Sequence, residues 1–256
     1  MKKLLASLLL LSGWFGASVA GTLVDVQILD RNSGQVLEIY RHHGRLYVAG
    51  APGNRYAVRL ANRADGRVLT VVSVDGVNAI SGQTAAASQT GYVLTSGQSA
   101  EIAGWRKNMD EVAAFYFTSI ADSYAGRTGR PQNVGVIGVA VFREAAPPRP
   151  ITPPVVYEQR GTDNGAAGAA DKAESSALRR PMAAPAAPGL GTGHGERLAA
   201  RSEYTDFRRA SDRPVETITI YYDSYANLVA RGIVSSGAAY GRPNPFPGGF
   251  VPDPRS

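Results

Sequence analysis

The chain has 256 residues, a formal net charge of +6 and no cysteine. The missing cysteine excludes disulfide redox chemistry, thiol catalysis and cysteine metal sites. Lysine stands only at positions 2, 3, 107 and 172, so the positive balance is almost all arginine. The arginines are scattered without a dense run. That favours weak attraction to an anionic envelope surface over a nucleic-acid groove.

The opening "MKKLLASLLLLSGWFGASVA" has the grammar of a secretory signal peptide. Lys2 and Lys3 supply the positive start, Leu4 to Phe15 the apolar stretch, and Ser18 and Ala20 the small residues before a cut. The apolar stretch is short for a membrane span. The expectation is a signal peptide over 1–20, cleavage after Ala20, and a periplasmic or secreted product. Loss of Lys2 and Lys3 takes the net charge from +6 to 6 − 2 = +4. No later run is long and apolar enough for a transmembrane segment in the mature chain.

Residues 21–144 read as one domain. Short alternating runs are separated by turn residues, which predicts a mainly β protein with a single antiparallel β-sandwich-like domain. "TLVDVQIL" alternates Val24, Val26 and Ile28 with polar residues. "VLEIY" and "LYVAG" flank "RHHGR", where Gly44 tolerates a positive φ and a hairpin tip is expected. "RYAVRLAN" places Tyr56, Val58 and Leu60 on one face. Asp75-Gly76 is a two-residue hairpin signal between "RVLTVVSV" and "VNAISG". "GYVLTSGQSAEIAGW" reads as two strands turning at Ser96-Gly97. "EVAAFYFTSI" and "VGVIGVAVF" read as strands, and "SIADSYAGRTG" between them as a helical turn or two.

Residues 145–200 change character. They are rich in proline, alanine and glycine, with few large apolar groups to offset chain entropy. A disordered linker is expected, with a root-mean-square reach of roughly 40 Å. In residues 201–236, "SEYTDFRRA", "ETITIYYD" and "NLVARGIV" are expected as strands of a small C-terminal β-hairpin unit. "DSYAN" is its turn, and Ile218, Ile220 and Tyr222 share one face. Residues 237–256 form a proline-rich tail carrying Phe246 and Phe250.

Chemistry-bearing residues are few. His42 and His43 are adjacent, so on a strand they point to opposite faces, and Arg41 and Arg45 repel a cation. A turn is expected there, with a metal site as the weaker alternative and no cofactor implied. His194 sits in "GTGHGER" and is read as incidental. Asp110-Glu111 reads as a solvated loop. Asp75 reads as a turn residue, with a calcium site at loop oxygens as its alternative. No nucleophile elbow, zinc-protease motif or Walker loop occurs. Trp105, beside Arg106 and Lys107, is the one binding candidate within the domain. An exposed tryptophan next to cations can stack on a sugar or anchor a partner; the other reading is a core tryptophan. Phe246 and Phe250 are a second candidate, for an aromatic groove or a sheet edge.

The blocks "RVLTVVSVDGVNAISGQ", "GWRKNMDEVAAFYFT", "GRPQNVGVIGVAVF" and "ITIYYDSYANLVARGI" together resemble a group of exported bacterial β-rich proteins of unknown function. The likeness spans most of the mature chain except the linker. It implies a self-contained exported protein and transfers no activity, ligand or site residue. The function expected first is a non-catalytic binding module for an envelope protein. A glycan or cell-wall polymer binder working through Trp105 comes second, and a hydrolase with an unrecognised carboxylate pair third. Nucleic acid is not an expected partner.

Overall fold

Alternating apolar residues need two surfaces to meet, and the chain supplies them as two stacked β-sheets. The computed structural model describes residues 19–147 and 189–235. The first sheet holds β1 (Val19–Ala20), β2 (Val24–Asp30), β5 (Arg55–Asn62), β9 (Ser99–Ile102), β10 (Gly104–Arg106), β11 (Glu111–Ser119) and β13 (Leu190–Ala199). The second holds β3 (Ile39–His42), β4 (Arg45–Gly50), β6 (Val68–Val74), β7 (Val77–Asn78), β8 (Tyr92–Leu94), β12 (Val136–Arg143) and β14 (Glu216–Ser224). Val26, Ile28, Val58, Leu60 and Phe115 of the first sheet share one buried cluster with Val72, Ile137, Val139, Ile218 and Ile220 of the second. This is the sandwich-like, mainly β architecture that the alternation predicts.

The turns follow the residues that demand them. His43 and Gly44 both adopt positive φ (46° and 72°) between β3 and β4, and Asp75 and Gly76 do the same (53° and 72°) between β6 and β7. Paired positive φ values at the two central residues are what a tight hairpin with native strand twist requires. "RHHGR" is therefore a hairpin tip. Its two imidazoles meet edge to face at 4.0 Å. Helix α1 (Tyr124–Arg127) starts at Ser123, whose hydroxyl accepts from the Gly126 amide. A 3-10 turn, Pro131–Asn133, follows it.

Two expectations about the chain's division are corrected. The C-terminal residues do not make a separate small unit; the described residues through Ala145 and from Gly189 on belong to one compact unit. Strand β13, placed by sequence inside the linker, pairs with β11 along its length. Strand β14 lies between β12 and β4, antiparallel to the first and parallel to the second. The parallel pair also departs from the all-antiparallel expectation. Its reason is burial: Ile218, Ile220 and Tyr222 are 6%, 1% and 3% exposed only because β14 occupies the middle of a sheet. "NLVARGIV" is not a strand. Ser224 caps helix α2 (Tyr225–Ala230), and Leu228, Ile233 and Val234 cover Tyr47 on the outer face of β4.

"SEYTDFRRA" is no strand either. Residues 200–212 run as an extended strap between β13 and β14, with Glu144–Arg209 as its one β-bridge among the described residues. The expectations for residues 148–188, and for the tail with Phe246 and Phe250, lie outside the described residues.

Candidate functional site: a cleft under the 200–212 strap

Strands β8 and β9 are joined by the turn at Ser96-Gly97 yet belong to different sheets. β8 pairs with β6 alone and β9 with β5 alone among the described strands. Their other edges border a cleft of about 1330 Å³, which the strap roofs. Tyr92, Val93 and Glu101 contribute walls from the strands. Arg106 and Lys107 line it from the end of β10, and Tyr204 and Phe207 from the strap.

The strap is fixed at both ends. Near its start, the amides of Ala200 and Ser202 donate to the Asp110 and Met109 carbonyls, and Arg106 donates to the Ala200 carbonyl at 2.9 Å. Near its end, Arg67 donates to the Asp206 carbonyl at 2.6 Å. Arg209 donates to the carbonyls of Ala87 and Gln89 and lies over the Phe142 ring at 4.1 Å. Phe207 packs on Leu69, Val71 and Phe142. Between these anchors Tyr204 stands 89% exposed.

The cleft wall is short of acceptors. Among the described residues, the buried side-chain polar atoms without a hydrogen-bond partner are the Tyr92 hydroxyl, Trp105 Nε1 and Arg106 Nε. All three can donate, and they sit on β8 and β10. Unpaired buried donors are uncommon and costly. Two of the three belong to cleft-lining residues, Tyr92 from one sheet and Arg106 from the other, with the guanidinium 5.9 Å from the Tyr92 ring. Burial pushes the Tyr92 phenol up; the neighbouring Arg106 guanidinium opposes that rise without reaching hydrogen-bond geometry.

Trp105 corrects the binding reading placed on it. The indole is 2% exposed and packs edge-on against Phe115 at 4.8 Å, with Tyr124 at 4.9 Å. It belongs to the core and offers no face to a sugar. β10 ends at Arg106, so Lys107 escapes the strand alternation that would have forced it inward beside Trp105. Arg106 and Lys107 do line the cleft. His194, read as incidental, stands on β13 opposite Phe115, with its ring 5.4 Å from Tyr124. Partial burial and the cations Lys107, Arg127 and Arg197 hold its imidazole below the ordinary value.

A second polar cluster lies in the core. Asp75 is 1% exposed. Its Oδ1 accepts from the Tyr222 hydroxyl at 2.5 Å and the Gly135 amide at 2.9 Å, and its Oδ2 accepts from the Thr192 amide at 2.7 Å. Thr192 Oγ1 lies 2.7 Å from the Tyr222 hydroxyl and 2.6 Å from that of Tyr56. Each hydroxyl carries one proton, so with Tyr222 donating to Asp75 the chain runs Tyr56 to Thr192 to Tyr222 to Asp75. Burial raises the Asp75 carboxyl to about 6, against the hydrogen bonds from Tyr222, Thr192 and Gly135. Both carboxylate oxygens face donors, which corrects the calcium alternative: a cation would meet N–H and O–H groups. The cluster ties β13 and β14 to the β6–β7 hairpin and to β5. The Asp75-Gly76 turn was legible, but nothing in it signalled burial.

Asp110 and Glu111 remain at the surface. Glu111 pairs with Arg197 at 2.9 Å. Among the described residues, no group of three or more histidine, aspartate or glutamate side chains is placed to hold a metal ion, and no helix is long and apolar enough to cross a membrane. Comparison with protein families, curated proteins and solved structures finds no match.

Proposed function

We propose that this is an exported binding module that receives an extended peptide segment of an envelope protein in the cleft beneath the 200–212 strap. One observation carries the reading. Two strand edges, unpaired among the described residues, face a cleft whose lining residues include two with unpartnered donors, the Tyr92 hydroxyl and Arg106 Nε. An extended peptide offers a carbonyl for each such donor and main-chain groups for each edge, the mode of strand addition. The strap gives a local precedent, because it is itself an extended chain held there by Arg67, Arg106 and Arg209, two of them through its own carbonyls. Export follows from the signal-peptide grammar of residues 1–20 and from the resemblance to exported β-rich proteins.

The second reading is a glycan ligand. Tyr204, at 89% exposure above the cleft, presents the kind of aromatic surface a sugar ring stacks on. A photo-reactive phenylalanine analogue at position 204, activated in intact cells, separates the two. The peptide reading expects an adduct with one envelope protein. It also expects slowed amide exchange at Tyr92–Leu94 and Ser99–Ile102 when a synthetic peptide spanning the adduct site is added. A polysaccharide adduct, or a peptide that leaves those amides unprotected, refutes it.

A further inference from the structure

The residues just after the expected processing site meet a carboxylate from the far end of the chain. Glu216, the first residue of β14, accepts from the Thr22 amide at 2.6 Å, the Leu23 amide at 3.0 Å and the Val24 amide at 3.4 Å. The Thr22 hydroxyl reaches the same carboxylate at 3.4 Å. Gly21 sits so close that a Cβ there would run into Glu216 Oε1 and the Val24 carbonyl. No arginine or lysine forms a salt bridge with Glu216 among the described residues. A half-buried carboxylate thus faces the start of β2 with amide donors and no paired cation.

We infer that Glu216 is a receptor for the processed N-terminus, binding the α-ammonium of Gly21 once the chain is cut after Ala20. This rests on the export reading for the position of the cut. Cutting there creates a positive charge on the residue whose Cβ position abuts Glu216 and whose neighbour Thr22 already donates to it. The charge completes a site that the amides of Thr22 and Leu23 only begin, since a charged donor makes a stronger bond to a carboxylate than a neutral amide does. Gly21 is suited to the place because any side chain would meet the carboxylate. The pairing links the start of β2 in one sheet to the start of β14 in the other, so processing and closure of the sandwich are coupled through one ion pair.

The test uses the full chain purified from the cell envelope. Mass spectrometry of the N-terminal peptide identifies the first residue. The rate of α-amine acetylation against pH then gives that amine's pKa. An ordinary α-amine titrates at about 7.7–8.0. A facing carboxylate raises it by about half a unit to one unit, which slows acetylation at pH 7 by about threefold to tenfold. The expected result is Gly21 as the first residue, a raised pKa, and a return to the ordinary value in Glu216→Gln. In the unaltered protein, 1 M salt should move the pKa in the same direction, which keeps the test independent of how the variant folds. Gly21 with an ordinary, salt-insensitive pKa overturns the receptor while leaving export standing. A first residue other than Gly21 overturns it together with the processing site.

Discussion

Asp75 gives the sharpest quantitative expectation. Its carboxyl is raised from 3.8 to about 6 by burial, and the described contacts bring it no cation. In the unfolded chain it titrates near 3.8. Between those values the folded state holds the proton more tightly than the unfolded state. Stability therefore falls as pH rises through this window and levels off above about 6. At about 1.4 kcal/mol per pH unit, the gap corresponds to about 3 kcal/mol lost between pH 3 and pH 7. Asp30 titrates in the opposite sense. Burial acts to raise it, but the Ser33 and Asn32 amides and the Asn54 side chain outweigh that and hold it below its ordinary value. Its stabilisation is present above that ordinary value and is lost as pH falls through the depressed one. The difference between the unaltered protein and Asp75→Asn removes this background. The substitution sets a side-chain amide in place of the carboxyl that faces the Thr192 N–H, so a constant offset is expected. Superimposed on it, the stability of the unaltered protein relative to the variant should decline by about 3 kcal/mol from pH 3 to pH 7. Urea unfolding at half-unit pH steps measures it. A difference that is flat with pH, or that grows as pH rises, refutes the buried-carboxylate reasoning.

Trp105→Ala should cost about 3–5 kcal/mol of stability, read as a lower urea midpoint, because it empties a core position against Phe115 and Tyr124; an unchanged midpoint would return Trp105 to the surface. A chain cut between residues 148 and 188 should stay together as two non-covalent pieces on size-exclusion chromatography, since β14 is hydrogen-bonded on both sides and β13 pairs along β11. Separation in native buffer would refute that pairing. For the same reason residues 21–144 alone should fail to give a cooperative unfolding transition. His43→Gly should raise stability by a few tenths to about 1 kcal/mol, because φ at position 43 is 46° and glycine adopts it without strain; a loss of stability would mean the His42–His43 ring contact outweighs the backbone term.

Local grammar alone determined a good deal of this protein. Period-two alternation at Val24–Ile28, Tyr56–Leu60 and Ile218–Tyr222 set which side chains face inward. Gly44, Gly76 and Gly97 set the turns, because few other residues accept their positive φ. These are properties of a residue and its near neighbours. Tertiary structure decided what such patterns do not encode, namely which strand pairs with which and what lies over an edge. The alternation of β14 is the same whether it forms a separate hairpin or the middle of a sheet; only contact with β4 and β12 selects the second. "GTGHGERLA" looks too poor in apolar groups to order itself, yet β13 forms because Gly191 and Gly193 let it lie close against Ser123 and Tyr116. "NLVARGIV" is expected as a strand, yet the Ser224 cap and the packing of Leu228 on Tyr47 make its first residues helix. Arg106 and Lys107 stand out in the sequence and do line the cleft, but Phe207 and the strap reach it through contacts over a hundred residues apart in the chain. The burial of Trp105 and Asp75 was settled there too, since burial belongs to whatever packs on a residue and not to the residue itself.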